Sequence, residues 1–220
     1  MSDAPRQSPD RRRRAAILIS GRGTNMTALL DAMAAPDYPA EAALVLSNRP
    51  DAAGLDIAAA RGVATSAVAS RPFKGDRAAF EDALQKTLTA HDIDIICLAG
   101  FMRILTGGFV DAWKDRMINI HPSLIPAFKG LDTHQRALDA GVVFHGCTVH
   151  LVRAEMDDGP ILGQAALTIQ SGEAAEALAE RVLKLEHQLY PAALAGYLSG
   201  AMRVEGDAIT PGPMALPPAA

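Results

Sequence analysis

The sequence is short of nearly everything that marks a chain for a special environment. Cysteine occurs twice in 220 residues, which excludes a disulfide-stapled scaffold. Cys97 and Cys147 both lie in apolar, strand-like runs and read as reduced, buried thiols of a cytoplasmic protein. Excess positive charge is also missing. With 21 basic against 25 acidic residues the net charge is −4, which gives no field for sequence-independent binding to nucleic acid or to an anionic membrane. No apolar run is long enough to span a bilayer, and Ala15 to Ser20, behind the basic run Arg11 to Arg14, is too short for a signal-peptide core. Aromatics make up only 5% while hydrophobic residues make up 49%, so the core is expected to be aliphatic, with helices covering a sheet. A chain of this length buries such a core without staples.

Strand-length apolar runs alternate with helical periodicity over the first two thirds of the chain. The runs are Ala15–Ser20, Ala42–Ser47, Ala64–Ala67, Ile93–Ala99 and Met117–Ile120. Between them lie helix candidates at Met26–Ala34, Ala52–Arg61, Arg77–His91 and Gly108–Lys114. This alternation predicts an α/β fold, a doubly wound and mostly parallel sheet. From Val142 the pattern changes: Val143–Val152 and Ile161–Ile169 read as an antiparallel pair added to that sheet, joined by an acidic link ending in Gly159-Pro160. Ser171-Gly172-Glu173 then opens a long helix reaching about Leu198, with Pro191 expected to kink or divide it. Residues 1–14 are expected to form a basic, solvated tail, residues 15–200 a single domain, and residues 201–220 a Pro- and Ala-rich extension without periodicity.

Three stretches have the composition of chemistry. Ser20-Gly21-Arg22-Gly23-Thr24-Asn25 joins the first strand to the first helix. Glycines let backbone N–H groups approach an oxyanion, and a helix N-terminus favours negative charge. A tight strand-to-helix turn capped by Thr24 or Asn25 is the alternative. The loop lacks the Lys-Ser/Thr of a Walker A motif, and Met26 stands where a dinucleotide fingerprint has its third glycine. In the second stretch, strand alternation puts Asn119 and His121 on one side of a strand's end, the edge where open α/β sheets bind ligands. Pro122 and Pro126 stiffen the loop beyond that end. A neutral imidazole exchanges protons near pH 7 and an Asn amide donates to an oxyanion. Third, Asp157 and Asp158 place carboxylates on the turn between the two late strands, either as turn formers or as partners of an imidazole. The six histidines show no metal-ligand spacing, and His145 and His150 are five positions apart, which puts them on opposite strand faces.

Taken together, Ile17–Asn25, Leu98–Leu105, Asn119–Pro126, Gly130–His134, Gly146–His150 and Asp157–Pro160 resemble the phosphoribosylglycinamide formyltransferase family, a branch of the folate-dependent formyltransferases. The resemblance runs in order from about Ala15 to Gly200. It implies a Rossmann-like formyltransferase fold, 10-formyltetrahydrofolate as cosubstrate, no metal, and small-molecule partners for a monomer or homodimer. It also implies that Asn119, His121 and Asp157 are catalytic, with Asp157 orienting His121. Gly21, Arg22, Gly23, Thr24 and Asn25 would hold a ribonucleotide phosphate and Glu186 its ribose. Arg77, Met102, Arg103, Ile104 and Leu105, with Asn119 and Asp157, would meet the folate. Leu183, beside Lys184, departs from a polar contact found in some relatives.

Two other activities share this chemistry. Formyltetrahydrofolate deformylases carry a further domain in front and methionyl-tRNA formyltransferases one behind, and this sequence has about 14 residues before its first strand and roughly 20 after its long helix, too few for a domain. A non-catalytic folate or nucleotide-binding module is the third reading; it would have lost one of Asn119, His121 and Asp157, and all three are present.

Overall fold

A computed structural model describes residues 11–216. Ten strands and six α-helices follow one another as β1 (Arg13–Ile19), α1 (Thr24–Met33), β2 (Ala40–Ser47), α2 (Ala53–Ala60), β3 (Thr65–Ala67), α3 (Arg77–Ala90), β4 (Ile95–Leu98), α4 (Gly107–Ala112), β5 (Met117–His121), α5 (Thr133–Asp139), β6 (Phe144–Leu151), β7 (Ile161–Thr168), α6 (Ala175–Leu198), β8 (Arg203–Glu205), β9 (Ala208–Thr210) and β10 (Met214–Ala215). Eight strands form one sheet in the order β10-β7-β6-β5-β4-β1-β2-β3. From β3 to β5 the strands are parallel, and β6 pairs antiparallel with both β5 and β7.

The parallel strands read as unbroken apolar runs because both faces are covered. In β1, Ala15, Ile17 and Ile19 point into the core beneath α1 and α6, while Ala16 and Leu18 point into the core beneath α3 and α4, and all five are fully buried. On α6, Leu178, Val182, Leu185 and Leu189 form a buried stripe. That helix runs unbroken through Pro191, whose carbonyl accepts from the Tyr38 hydroxyl at 2.8 Å.

Three expectations need correction. Arg11 to Arg14 are not a solvated tail. Arg11 pairs with Asp94 at 2.8 Å, Arg12 donates to the carbonyls of Met33 and Ala40, and Arg14 pairs with Glu41 at 2.9 Å. Arg13 and Arg14 already belong to β1, and carbonyls and carboxylates of neighbouring elements receive Arg11, Arg12 and Arg14. Residues 1–10 of the expected tail lie outside the described residues. After Gly200 the chain is also ordered by pairing: β8 and β9 form a hairpin and β10 joins the sheet edge beside β7. The third correction is a short helix, α5, which precedes β6 and whose seven residues are too few for periodicity to signal.

Candidate functional site

The parallel strand order 3-2-1-4-5 reverses between β1 and β4. At such a switch point the connections leave in opposite directions and open a crevice outside the strands' carboxyl ends. The glycine loop leaves β1 on one side of this crevice, and Met102–Leu105 follow β4 on the other. The Ser20 hydroxyl joins the two, donating to Asn48 Oδ1 at 2.5 Å and accepting from the Met102 amide at 2.7 Å.

In the glycine loop the helix cap is Gly23, at φ +71°, and not Thr24 or Asn25; no side chain caps α1. Gly21, Arg22 and Thr24 are exposed there. The loop lies against α2 because Gly54 has no side chain: a Cβ at that position would clash with Ile19 Cδ1 and lie 3.0 Å from the Gly21 carbonyl. Asn25 turns inward and donates from Nδ2 to Glu186 Oε2 at 2.6 Å, while its Oδ1 is buried without a partner. Burial pushes the Glu186 carboxyl up to about 6, against the opposing pull of the Asn25 hydrogen bond. Polar residues this deep, one with an unused acceptor, suit a polar ligand. Leu183 is half-buried and Lys184 exposed on the same helix.

The segment Met102–Leu105 presents apolar side chains to solvent, Met102 at 68% and Ile104 at 60% exposure. Its backbone is nonetheless fixed at both ends, at Met102 by Ser20 and at Thr106 by the buried Glu81, whose Oε1 accepts from the Thr106 amide at 2.6 Å. The Arg103 guanidinium stands 6.0 Å over the Phe80 ring of α3, the helix on which Arg77 is the exposed first residue.

Next to β4, β5 carries Asn119 and His121 on one face, as alternation requires. His121 is 5% exposed. Its Nε2 lies 3.0 Å from the Phe128 carbonyl, which only accepts, so Nε2 bears the hydrogen. Nδ1 is left facing Asp157 Oδ2 at 3.4 Å. The ring is thus held between the Phe128 carbonyl at Nε2 and the Asp157 carboxylate at Nδ1. Asp157 itself sits at φ +51° and accepts from the Gly130 amide at 2.9 Å. One loop therefore holds both side chains. In that loop Phe128 has φ +53°, a left-handed backbone that costs a bulky residue on the order of 1–3 kcal/mol.

The sequence does not single out a fourth member as a site residue. His150, opposite Asn119 in the β5–β6 register, has Nδ1 3.0 Å from the Leu151 carbonyl and Nε2 3.2 Å from Asn119 Nδ2. Burial holds its imidazole below the ordinary histidine range, so a neutral Nε2 accepts one Asn119 N–H and leaves the other for a ligand. Asp157 Oδ1 is 3.8 Å from the same nitrogen. His145 is buried on the other face, against His134 at 3.1 Å. Among the described residues no group of His, Cys, Asp and Glu could hold a metal ion, and no helix is long and apolar enough to cross a membrane.

This arrangement provides two directed donors, Asn119 Nδ2 and, once protonated, His121 Nδ1, beside a carboxylate, and such a set stabilises an oxyanion while accepting a proton from an attacking group. Residues 13–194 match the formyl transferase family. The chain is 46% identical over 191 residues to the trifunctional purine biosynthetic protein adenosine-3 of Bos taurus, covering 87% of this chain and 19% of that one. It thus spans about a fifth of the length of that relative. It is 36% identical over 202 residues to the phosphoribosylglycinamide formyltransferase of Escherichia coli, covering 92% of this chain and 95% of the other. The crystal structure of the phosphoribosylglycinamide formyltransferase from Brucella melitensis superposes with a TM-score of 0.82 at 50% identity, over 89% of this chain and 99% of that one.

Proposed function

The chain belongs to the formyl transferase family, and on that premise we propose that it passes the formyl group of 10-formyltetrahydrofolate to the primary amine of glycinamide ribonucleotide in purine synthesis. The observation that carries this reading is the convergence of Asn119, His121 and Asp157 beside the switch-point crevice, with His121 Nδ1 3.4 Å from Asp157. The ribonucleotide enters with its phosphate on the N–H groups of the Gly21–Asn25 loop and its ribose against Glu186. Folate lies along Met102, Arg103, Ile104 and Leu105, with Arg77 and Arg103 supplying positive charge for its carboxylates.

The neutral amine attacks the formyl carbon, forming the C–N bond and moving the carbonyl electron pair onto oxygen. Asn119 Nδ2 and the protonated His121 Nδ1 donate to that oxyanion, and Asp157, on the Nδ1 side of the ring, stabilises its cation. Asp157 takes the proton lost by the attacking nitrogen, directly or through water, and the proton is returned to N10 of the folate as its bond to the formyl carbon breaks. The two buried free thiols fit a reducing compartment, the cytoplasm.

The deciding assay mixes the protein with 10-formyltetrahydrofolate, with and without glycinamide ribonucleotide, and follows loss of the formyl group. Turnover that depends on the amine is expected. Equal turnover without it would make the enzyme a hydrolase, and none in either mixture would leave a binding module.

A further inference from the structure

The loop that holds His121 and Asp157 has an unfavourable backbone of its own. Between β5 and α5, Phe128, Gly130 and Asp132 all take positive φ, +53°, +82° and +55°. Glycine adopts this region freely and Asp tolerates it, but a phenylalanine does so only under constraint. The constraint comes from Arg136 on α5. Its Nη1 donates to the carbonyls of Lys129 at 2.6 Å and Leu131 at 3.1 Å, and its guanidinium carbon lies 5.8 Å over the Phe128 ring. The other edge of that ring meets His145, with centroids 6.2 Å apart.

One peptide group makes this contact more than a staple. The Lys129 carbonyl that accepts from Arg136 and the Gly130 N–H that donates to Asp157 Oδ2 at 2.9 Å belong to the same amide. In a trans peptide the two point in opposite directions. A cation at its oxygen end and a carboxylate at its hydrogen end polarise it in the same sense, so each hydrogen bond strengthens the other. Earlier in the same loop, the Phe128 carbonyl fixes the His121 ring.

We propose that Arg136 is a positioning residue for His121 and Asp157, acting through the Lys129–Gly130 peptide and the Phe128 ring without touching either substrate. Its link to turnover rests on the formyl-transfer reading; its link to loop geometry does not.

The test compares wild type with Arg136→Met, which keeps the aliphatic stem, and Arg136→Lys, which keeps the charge but not the fork. Arg136→Met is expected to lower kcat by about 10- to 100-fold, the effect of a misplaced catalytic group, with KM for both substrates within about two-fold. In amide and imidazole ¹⁵N NMR the Gly130 proton moves upfield and the His121 Nε2–H signal broadens, and Arg136→Lys recovers part of both effects. A wild-type kcat in Arg136→Met, or unmoved Gly130 and His121 signals, overturns the proposal. So does a loss of kcat matched only by a fall in thermal midpoint. Should Arg136→Met not fold, the same readouts on Arg136→Lys decide, expected at intermediate values and contradicted by wild-type ones. Should wild type transfer no formyl group, the functional reading fails while the Gly130 and His121 signals still decide the clamp.

Discussion

Asn119 and His150 face each other across β5 and β6, amide nitrogen to imidazole nitrogen at 3.2 Å. Because His150 Nδ1 is committed to the Leu151 carbonyl, its Nε2 has no hydrogen and must accept, which fixes which end of the Asn119 side chain is the donor. Replacing His150 by Phe keeps ring volume and removes that acceptor. The Asn119 amide is then free to turn its oxygen toward the substrate, and kcat is expected to fall about 10-fold or more, in line with loss of one directed donor. His150→Gln, which retains an acceptor, is expected to restore much of it. Steady-state kinetics on the pair checks this; equal damage in both would mean that the ring's packing, not its acceptor, is what matters.

His121→Ala removes the imidazole whose Nδ1 faces Asp157. Turnover is expected to drop by ~10²–10⁴, the span for a positioned acid or base, with KM for both substrates largely kept. Single-turnover formyl transfer measures the chemical step directly. Near-wild-type rates would remove His121 from the mechanism.

Gly54→Ala drives a methyl group into Ile19 Cδ1 and within 3.0 Å of the Gly21 carbonyl. Ile19 is fully buried and cannot swing away, so α2 is pushed off the glycine loop. The expected result is a loss of about 1–3 kcal/mol, the usual cost of overpacking, with KM raised for the ribonucleotide and hardly changed for the folate. Urea unfolding and separate substrate titrations test the two halves of this statement. A uniform rise in both KM values would show that Gly54 does not act through the glycine loop.

Two buried groups give opposite pH dependences. Burial raises the Glu186 carboxyl to about 6 from a usual 4.5, so between those values the folded state binds more protons than the unfolded one and stability falls as pH rises. Burial first, with neighbouring His134 and His121, lowers His145 from 6.5 to about 4. Its stability contribution is complete above 6.5 and is lost as pH falls toward 4. Glu186→Gln is expected to be more stable than wild type at pH 7 by on the order of 1–2 kcal/mol, an advantage that shrinks by pH 5. Chemical denaturation at those two pH values reads it. An advantage independent of pH would show that charge burial is not the cause.

Several features of the site are legible in a linear chain because they obey local rules. Asn119 and His121 two residues apart on a strand must share a face, and a glycine loop after a strand must begin a helix. Glu186 is visible only through motif resemblance, and Asp157 is otherwise as good a turn former as a partner for an imidazole. Nothing local tells a carboxylate on a long helix or a turn that Asn25 or His121 lies beside it. His150 stands out in the sequence only for its spacing to His145, because its partner Asn119 lies 31 residues away and is found only through an antiparallel register. Arg11 to Arg14 mislead for the same reason: a charge run looks solvated until Asp94, Glu41 and the Ala40 carbonyl are placed around it.

By itself the sequence determined the alternation of strands and helices, the aliphatic two-faced core and the side of β5 on which the polar pair stands. These follow from side-chain periodicity, which depends only on neighbours along the chain. Tertiary structure decided which nitrogen of His121 faces Asp157, which end of Asn119 donates, and that one loop holds His121 and Asp157 together. Those are properties of hydrogen-bond partners distant in sequence, such as Gly130 and Asp157, and no partner exists until the sheet and its connecting loops bring the two into contact.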